Sequence, residues 1–171
     1  GRCQSQCPAW NTDKPLSPKL VMLSLRDHAH AKAPWLLTAE GERDQLDDAV
    51  KAEAERVLVA PVDAENPVAG GVIDPDVLWS CTTCGACVEQ CPVDIEHVDH
   101  IVDMRRYQVL IESAFPAELG GLFKNLEKNA NPWGMSPRMR MDWAKGLPFE
   151  VKQVGADIED LTEVDYLFWV G

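Results

Sequence analysis

The sequence predicts a mainly α-helical fold with irregular loops, wound around clustered cysteines. Three observations carry that expectation. Apolar residues recur at helical spacing in several separate runs, proline and glycine punctuate the segments between them, and the six cysteines stand in two short stretches at the start and in the middle of the chain. With 171 residues, 46% of them hydrophobic, there is enough chain for one domain with a modest core.

The chain opens Gly1-Arg2-Cys3-Gln4-Ser5-Gln6-Cys7-Pro8, and Asn11 to Leu16 reads as a turn-rich passage. Ser17-Pro18 gives a capping serine with proline in the first turn. A helix is therefore expected to about Ala33, with Leu20, Val21, Met22, Leu23 and Leu25 as its apolar content and Pro34 as its stop. His28 and His30 near its end are read as favourable charge in a last turn rather than as metal neighbours. A second helix is expected over Asp44 to Leu58, with Leu46, Ala49, Val50 and Val57 on an apolar side and Asp47, Asp48, Lys51, Glu53, Glu55 and Arg56 on a solvated one. Pro61, Pro67, Gly70, Gly71 and Pro75 make 59 to 76 a loop with room for a short hairpin. Asp74-Pro75 then opens a short helix that delivers Trp79 to the edge of the second cysteine stretch. Trp79 is read as a core residue, with shielding of the cysteine site as the sharper alternative.

Beyond Pro92, Asp94 is placed to cap a helix from Ile95 to about Ser113, whose apolar stripe is Ile95, Val98, Ile101, Val102, Val109 and Leu110. His97 and His100 stand three apart on it without a third ligand at matching spacing, so both are read as surface or packing residues. Arg105 and Arg106 meet either an acidic partner or ion pairs on their own helix. A further helix is expected over Ala117 to Lys128 despite Gly120 and Gly121. A turn at Asn131-Pro132-Trp133-Gly134-Met135 and a short helix from Ser136-Pro137 to near Gly146 follow it. Arg138, Arg140 and Lys145 make this the most basic stretch, a docking patch or, more simply, a solvated face. Asp157 to Glu163 is acidic and loop-like, and Tyr166 to Gly171 reads as a buried strand. The expected organisation is a helical, cysteine-bearing domain over 1–164 and the first strand of a following domain over 165–171.

From Cys81 to Pro92 the chain reads CTTCGACVEQCP: four cysteines separated by two, two and three residues, with proline after the last. This is the bacterial ferredoxin pattern for a 4Fe-4S cluster. A cubane needs thiolates at its iron corners, and a short loop wound around it supplies three. Thr82, Thr83, Gly85 and Ala86 keep that loop free of bulk, so backbone N–H groups can approach the sulfurs. In two-cluster ferredoxins the last cysteine, here Cys91, serves the other cluster, so this motif predicts a partner. The opening residues supply the back half of one: Gly1 stands opposite Gly85, Cys3 opposite Cys87, and Cys7-Pro8 opposite Cys91-Pro92. Crossed ligation then assigns Cys81, Cys84, Cys87 and Cys7 to one complete cluster, and Cys3 and Cys91 to another. Two further cysteines are expected upstream for that second cluster, one immediately before Gly1 and one three residues earlier. Both ends of the sequence are expected to be cuts through a larger protein.

Disulfides suit these residues poorly, because cysteines three apart in a tight loop have unfavourable geometry and nothing marks the chain as secreted. Zinc usually takes two separated CxxC-like pairs, so a zinc-stabilised interaction domain is the alternative of another class. The chain carries 28 acidic and 16 basic side chains, net −12, which argues against nucleic acid as a partner. The same negative surround disfavours an added electron and lowers a cluster's potential within the span of roughly −700 to +450 mV open to such centres. No apolar run approaches the ~18 residues of a membrane span and no signal peptide opens the chain, while reduced thiols fit the cytoplasm or the cytoplasmic face of a membrane. No residue is singled out as catalytic.

Two ferredoxin motifs set apart by helical sequence resemble the α-helical ferredoxin found in the iron–sulfur subunits of succinate dehydrogenase and of heterodisulfide reductase. More narrowly, CTTCGACVEQCPVDIEHVDHIVDMRR, NPWGMSPRMRMDWAKGL and the terminal DYLFWVG are similar to the long iron–sulfur-binding oxidoreductases of actinobacteria, relatives of heterodisulfide reductase and of the anaerobic glycerol-3-phosphate dehydrogenase iron–sulfur subunit. The resemblance implies two 4Fe-4S clusters in the full protein. It also implies a membrane domain with haem b upstream and further iron–sulfur cofactor in CCG domains downstream. By the same resemblance the module relays electrons at the cytoplasmic face of the cell membrane, from electron transfer flavoprotein of fatty-acid β-oxidation, or another flavoprotein donor, to menaquinone. The same wiring serves a lactate, glycolate or glycerol-3-phosphate dehydrogenase, or a heterodisulfide-type thiol reductase.

Overall fold

The computed structural model describes residues 1–63, 65 and 70–169. The described residues form helices, turns and loops with no strand, and the chain divides into two compact units, Gly1–Phe115 and Pro116–Gly171. No helix among them is long and apolar enough to cross a membrane.

In the first unit a one-turn helix, α1 (Arg2–Ser5), leads through a 3-10 turn at Trp10–Thr12 to the long α2 (Pro18–Leu37). Ser17 caps α2 as its sequence predicts: its hydroxyl accepts from the Leu20 N–H at 3.2 Å, and Pro18 fills the first position, where a missing N–H costs nothing. Pro34 does not stop this helix. Proline forgoes its own N–H bond, but its carbonyl accepts from the N–H and the hydroxyl of Thr38 at 3.1 and 2.7 Å, which closes one more turn. Arg43 lies over the Trp35 ring and donates to the carbonyls of Trp35 and Thr38, binding groups that the helix end leaves open.

The second predicted helix is split. A 3-10 segment covers Glu40–Gln45, and α3 occupies Asp48–Glu55 because Asp47, read as a solvated residue, caps it through the Ala49 N–H at 2.8 Å. Glu53 is likewise not on a solvated face. It is buried against α2, 2.6 Å from His28 Nδ1, and Arg56 beside it donates to the carbonyls of Gly70 and Gly71 at 2.9 and 2.8 Å. That anchors the returning loop, where Val59 and Ile73 form an isolated parallel bridge; the middle of the stretch expected to have room for a hairpin, residues 64 and 66–69, lies outside the described residues. A short helix, α4 (Pro75–Trp79), is capped by Asp74 as expected, and leads into the cysteine loop and the one-turn α5 (Ala86–Glu89).

The best-patterned helix, α6, spans His97–Leu110, starting two residues later and ending about three residues earlier than predicted. Asp94 is not its cap. It takes a left-handed turn (φ 53°), and the next N–H, that of Ile95, points to Cys91 Sγ at 3.4 Å. His97, Ile101, Met104 and Gln108, at helical spacing, face inward. The core gathers Cys7, Ala9, Leu16, Val21, Val59, Val72, Ile73, Leu78, Ile101 and Met104.

In the second unit α7 (Glu118–Asn129) forms despite its two glycines and ends on a left-handed Ala130. The following turn is tied by Asn131, which bonds both N–H and carbonyl of Met135, and by Asn125, which donates to the Pro132 carbonyl. The stretch Pro137–Ala144 is 3-10 rather than α, capped by Ser136, with Arg138, Arg140 and Lys145 exposed on it or beside it. The predicted strand is not seen in its described part. Residues 165–169 are irregular, and Tyr166, Leu167, Phe168 and Trp169 are exposed, with Phe168 edge-on to Trp143; Val170 and Gly171 lie outside the described residues.

Candidate metal centre

The two half-motifs fold alike, as their alignment implies. After Gly1, the N–H groups of Gln4 and Ser5 bond to the Gly1 carbonyl, that of Gln6 to Arg2 and that of Cys7 to Gln4. After Gly85, those of Val88 and Glu89 bond to Gly85, that of Gln90 to Ala86 and that of Cys91 to Val88. Cys3 and Cys87 thus sit at matching places on α1 and α5, which pack together, and Cys7 and Cys91 at matching places just beyond.

That packing carries Cys7 across to the second motif. Cys7, Cys81, Cys84 and Cys87 line one cavity, closed by Leu16, Pro18, Val98 and Ile101 and floored by Thr82 and Gly85 of the loop. Cys3 and Cys91, both half-buried, do not line it. The loop reaches this shape by two left-handed residues, Thr83 (φ 55°) and Gly85 (φ 76°); glycine takes that conformation freely, threonine at a cost of about 1–2 kcal/mol. The bend turns the Thr83 N–H onto Cys81 Sγ at 3.3 Å.

The thiols are not equivalent. Cys84, exposed, is held below the ordinary thiol value of 9.0 by the Ala86 N–H and then by the Thr82 side chain. Burial pushes Cys87 up, and the neighbouring sulfurs of Cys81 and Cys7 add to the rise. Sulfurs that repel one another as thiolates invite a cation among them. Among the described residues no three or more His, Cys, Asp or Glu gather tightly enough for a single metal ion. Four cysteine thiols lining one cavity are the donor set that the iron corners of a cubane need, so the residues present fit it.

None of the four histidines lines the cavity: His28 bonds Glu53, His30 and His100 are exposed, and His97 is buried elsewhere in α6. Trp79 is half-buried beneath the guanidinium of Arg105, 4.9 Å from its ring centroid. Arg105 is the residue that sequence reasoning missed. Read as a surface cation, it turns inward and donates to the Cys81 carbonyl at 2.7 Å, whereas Arg106 pairs with Asp103 on the surface. The available signal was its place four residues after Ile101, on the apolar stripe.

Residues 1–95 match the family described as 4Fe-4S dicluster domain. The chain belongs to that family. Along its whole length the chain is 37% identical to a probable iron-sulfur-binding oxidoreductase, FadF, of Bacillus subtilis. It is 38% identical to the EtfAB:quinone oxidoreductase of Syntrophomonas wolfei and 36% to a probable membrane-anchored ferredoxin of Chromohalobacter salexigens. It covers 26%, 24% and 24% of those proteins, about a quarter of their length. No solved structure matches the chain. The dicluster domain is thus an electron-carrier unit of the iron–sulfur oxidoreductase type.

Proposed function

We propose that this dicluster domain relays single electrons from an electron transfer flavoprotein towards a membrane quinone. In this reading Cys81, Cys84, Cys87 and Cys7 hold one 4Fe-4S cluster, and Cys3 and Cys91 contribute to a second. The observation that carries the reading is the meeting of Cys7 with Cys81, Cys84 and Cys87 around one cavity, the pairing that crossed ligation requires. Such a cluster, when bound, supplies one-electron redox chemistry. The chain's own residues bind, orient and shield. Leu16, Pro18, Val98 and Ile101 wall the cavity with apolar surface, the Thr83 N–H fixes the Cys81 sulfur, and the exposed Cys84 edge is the side open to a redox partner.

The printed name of the Syntrophomonas wolfei relative supports flavoprotein donor and quinone acceptor, and that of the Chromohalobacter salexigens relative supports a membrane association. The reading extends to menaquinone, to fatty-acid β-oxidation as the electron source, and to the cytoplasmic face of the cell membrane. It places haem b and further iron–sulfur cofactor elsewhere in the oxidoreductase, and the start of a CCG-type domain at residue 165.

The test is anaerobic reconstitution of the 171-residue chain with iron and sulfide, followed by metal analysis and electron paramagnetic resonance. A brown protein with equal iron and sulfide and a reduced 4Fe-4S signal is expected. A colourless protein that takes zinc and no iron would make the domain a structural interaction module. Reduction of the loaded domain by reduced electron transfer flavoprotein then tests the donor; if only a lactate, glycolate or glycerol-3-phosphate flavoprotein reduces it, the relay belongs to that chemistry.

A further inference from the structure

Arg105 continues, one and two turns on, the row of α6 side chains that begins with Val98 and Ile101 in the wall of the thiol cavity. Its guanidinium grips the segment leading into the cysteine loop. Nε and Nη2 donate to the Leu78 carbonyl at 3.1 and 2.7 Å, and Nη2 also donates to the Cys81 carbonyl at 2.7 Å. Its central carbon lies over the Trp79 ring, 4.9 Å from the centroid. A rigid fork can hold two carbonyls at once; an ammonium, as a point charge, fits them less well. Leu78 lies near the end of α4, where carbonyls lack helical partners and a cation is favoured, so Arg105 both closes that helix and ties it to the first cysteine.

The charge on this fork is not cancelled locally. Among the described residues no carboxylate forms an ion pair with Arg105; its neighbours are neutral carbonyls, an aromatic face and the Cys81 sulfur. A half-buried positive charge is therefore fixed to the backbone of the loop's first cysteine, in a chain whose net charge is −12.

We propose that Arg105 tunes the cluster of Cys81, Cys84, Cys87 and Cys7: its positive charge, held at the Cys81 carbonyl, makes that cluster easier to reduce. This rests on the reading of those four cysteines as ligands. The sign follows from electrostatics. An added electron makes the centre more negative, a nearby fixed cation favours the reduced form, and partial burial leaves that cation less screened than a surface lysine.

The experiment compares the unsubstituted chain with Arg105→Gln and Arg105→Lys after anaerobic reconstitution, reading iron and sulfide content first and the midpoint potential by a redox titration second. Glutamine keeps a donor for a carbonyl and loses the charge; lysine keeps the charge and loses the fork. Arg105→Gln is expected to retain iron and to be about tenfold harder to reduce, a fall of about 59 mV for one electron. Arg105→Lys is expected to stay near the parent potential. An unchanged potential in an iron-replete Arg105→Gln chain overturns the proposal and leaves the cluster reading intact. If Arg105→Gln binds no iron, the lysine variant decides. Iron binding at the parent potential supports the proposal, and loss of iron or a tenfold shift there sinks it. An unsubstituted chain without iron fails before any variant is made, and takes the cluster reading with it.

Discussion

Cys7 and Cys87 wall the same cavity, each more than nine-tenths buried, although one closes the N-terminal half-motif and the other belongs to α5 of the second motif. Cys3, four residues before Cys7, stands outside that cavity. Replacing the two by serine separates their roles. Cys7→Ser is expected to lose the cluster held with Cys81, Cys84 and Cys87, whereas Cys3→Ser is expected to keep it. Iron and sulfide analysis of the reconstituted variants reads the difference. Retention of that cluster in Cys7→Ser together with its loss in Cys3→Ser would reverse the crossed assignment.

Glu53 and His28 tie α3 to α2 through a polar bond. Each side chain is about one-eighth exposed, and the carboxylate also has Arg56 at 3.5 Å. Glu53→Ala removes the acceptor and strands a buried imidazole, at an expected cost of about 1–3 kcal/mol. Glu53→Gln, which keeps an acceptor oxygen, is expected to lose less. Denaturant midpoints followed by circular dichroism give both numbers, and equal losses would mean that size rather than the bond to His28 matters.

What was legible in the sequence is what acts locally. The cysteine spacing, the Ser17-Pro18 and Asp74-Pro75 caps and the inward stripe of α6 all depend on neighbours within a few residues, and the fold has them. The second motif also points back to the opening cysteines, and Cys7 lines one cavity with Cys81, Cys84 and Cys87. Glu53 and Arg105 were misread because their partners come from other elements. A charged residue on a helix reads as solvated until the carbonyl or imidazole opposite it is known. Pro34 was misread for a smaller reason, since Thr38 supplies both donors needed to carry the helix past it. Tyr166 to Trp169 read as buried on composition alone, yet hydrophobicity does not supply a pairing strand, and these residues are exposed.

Gly71 and Gly85 are needed for different reasons, and alanine tells them apart. At Gly85 the space is open and only the left-handed backbone resists a side chain, so Gly85→Ala is expected to cost about 1–2 kcal/mol. At Gly71 an added Cβ would stand 2.4 and 2.5 Å from the carbonyl oxygen and nitrogen of Ala60, backbone that cannot swing aside. Gly71→Ala is expected to be the more damaging of the two in a denaturant titration. The reverse order would deny the close approach of the 57–61 and 70–73 segments.

His97 makes the fold sensitive to acid. It is 1% exposed, and its Nδ1 has no hydrogen-bond partner among the described residues. Burial pushes its pKa below the ordinary 6.5, the Ile95 backbone opposes that shift, and His100 lowers it while Glu96 raises it. The folded chain therefore keeps His97 neutral, while the unfolded chain takes up a proton near the ordinary value. Its contribution to stability is full above that value and is lost as pH falls through the depressed folded one. His97→Leu removes both the proton site and the unpaired nitrogen. It is expected to flatten the decline in the denaturant midpoint between about pH 7 and pH 5, at little or no cost in stability at neutral pH. If the decline keeps its full slope in His97→Leu, the acid sensitivity belongs to another pair.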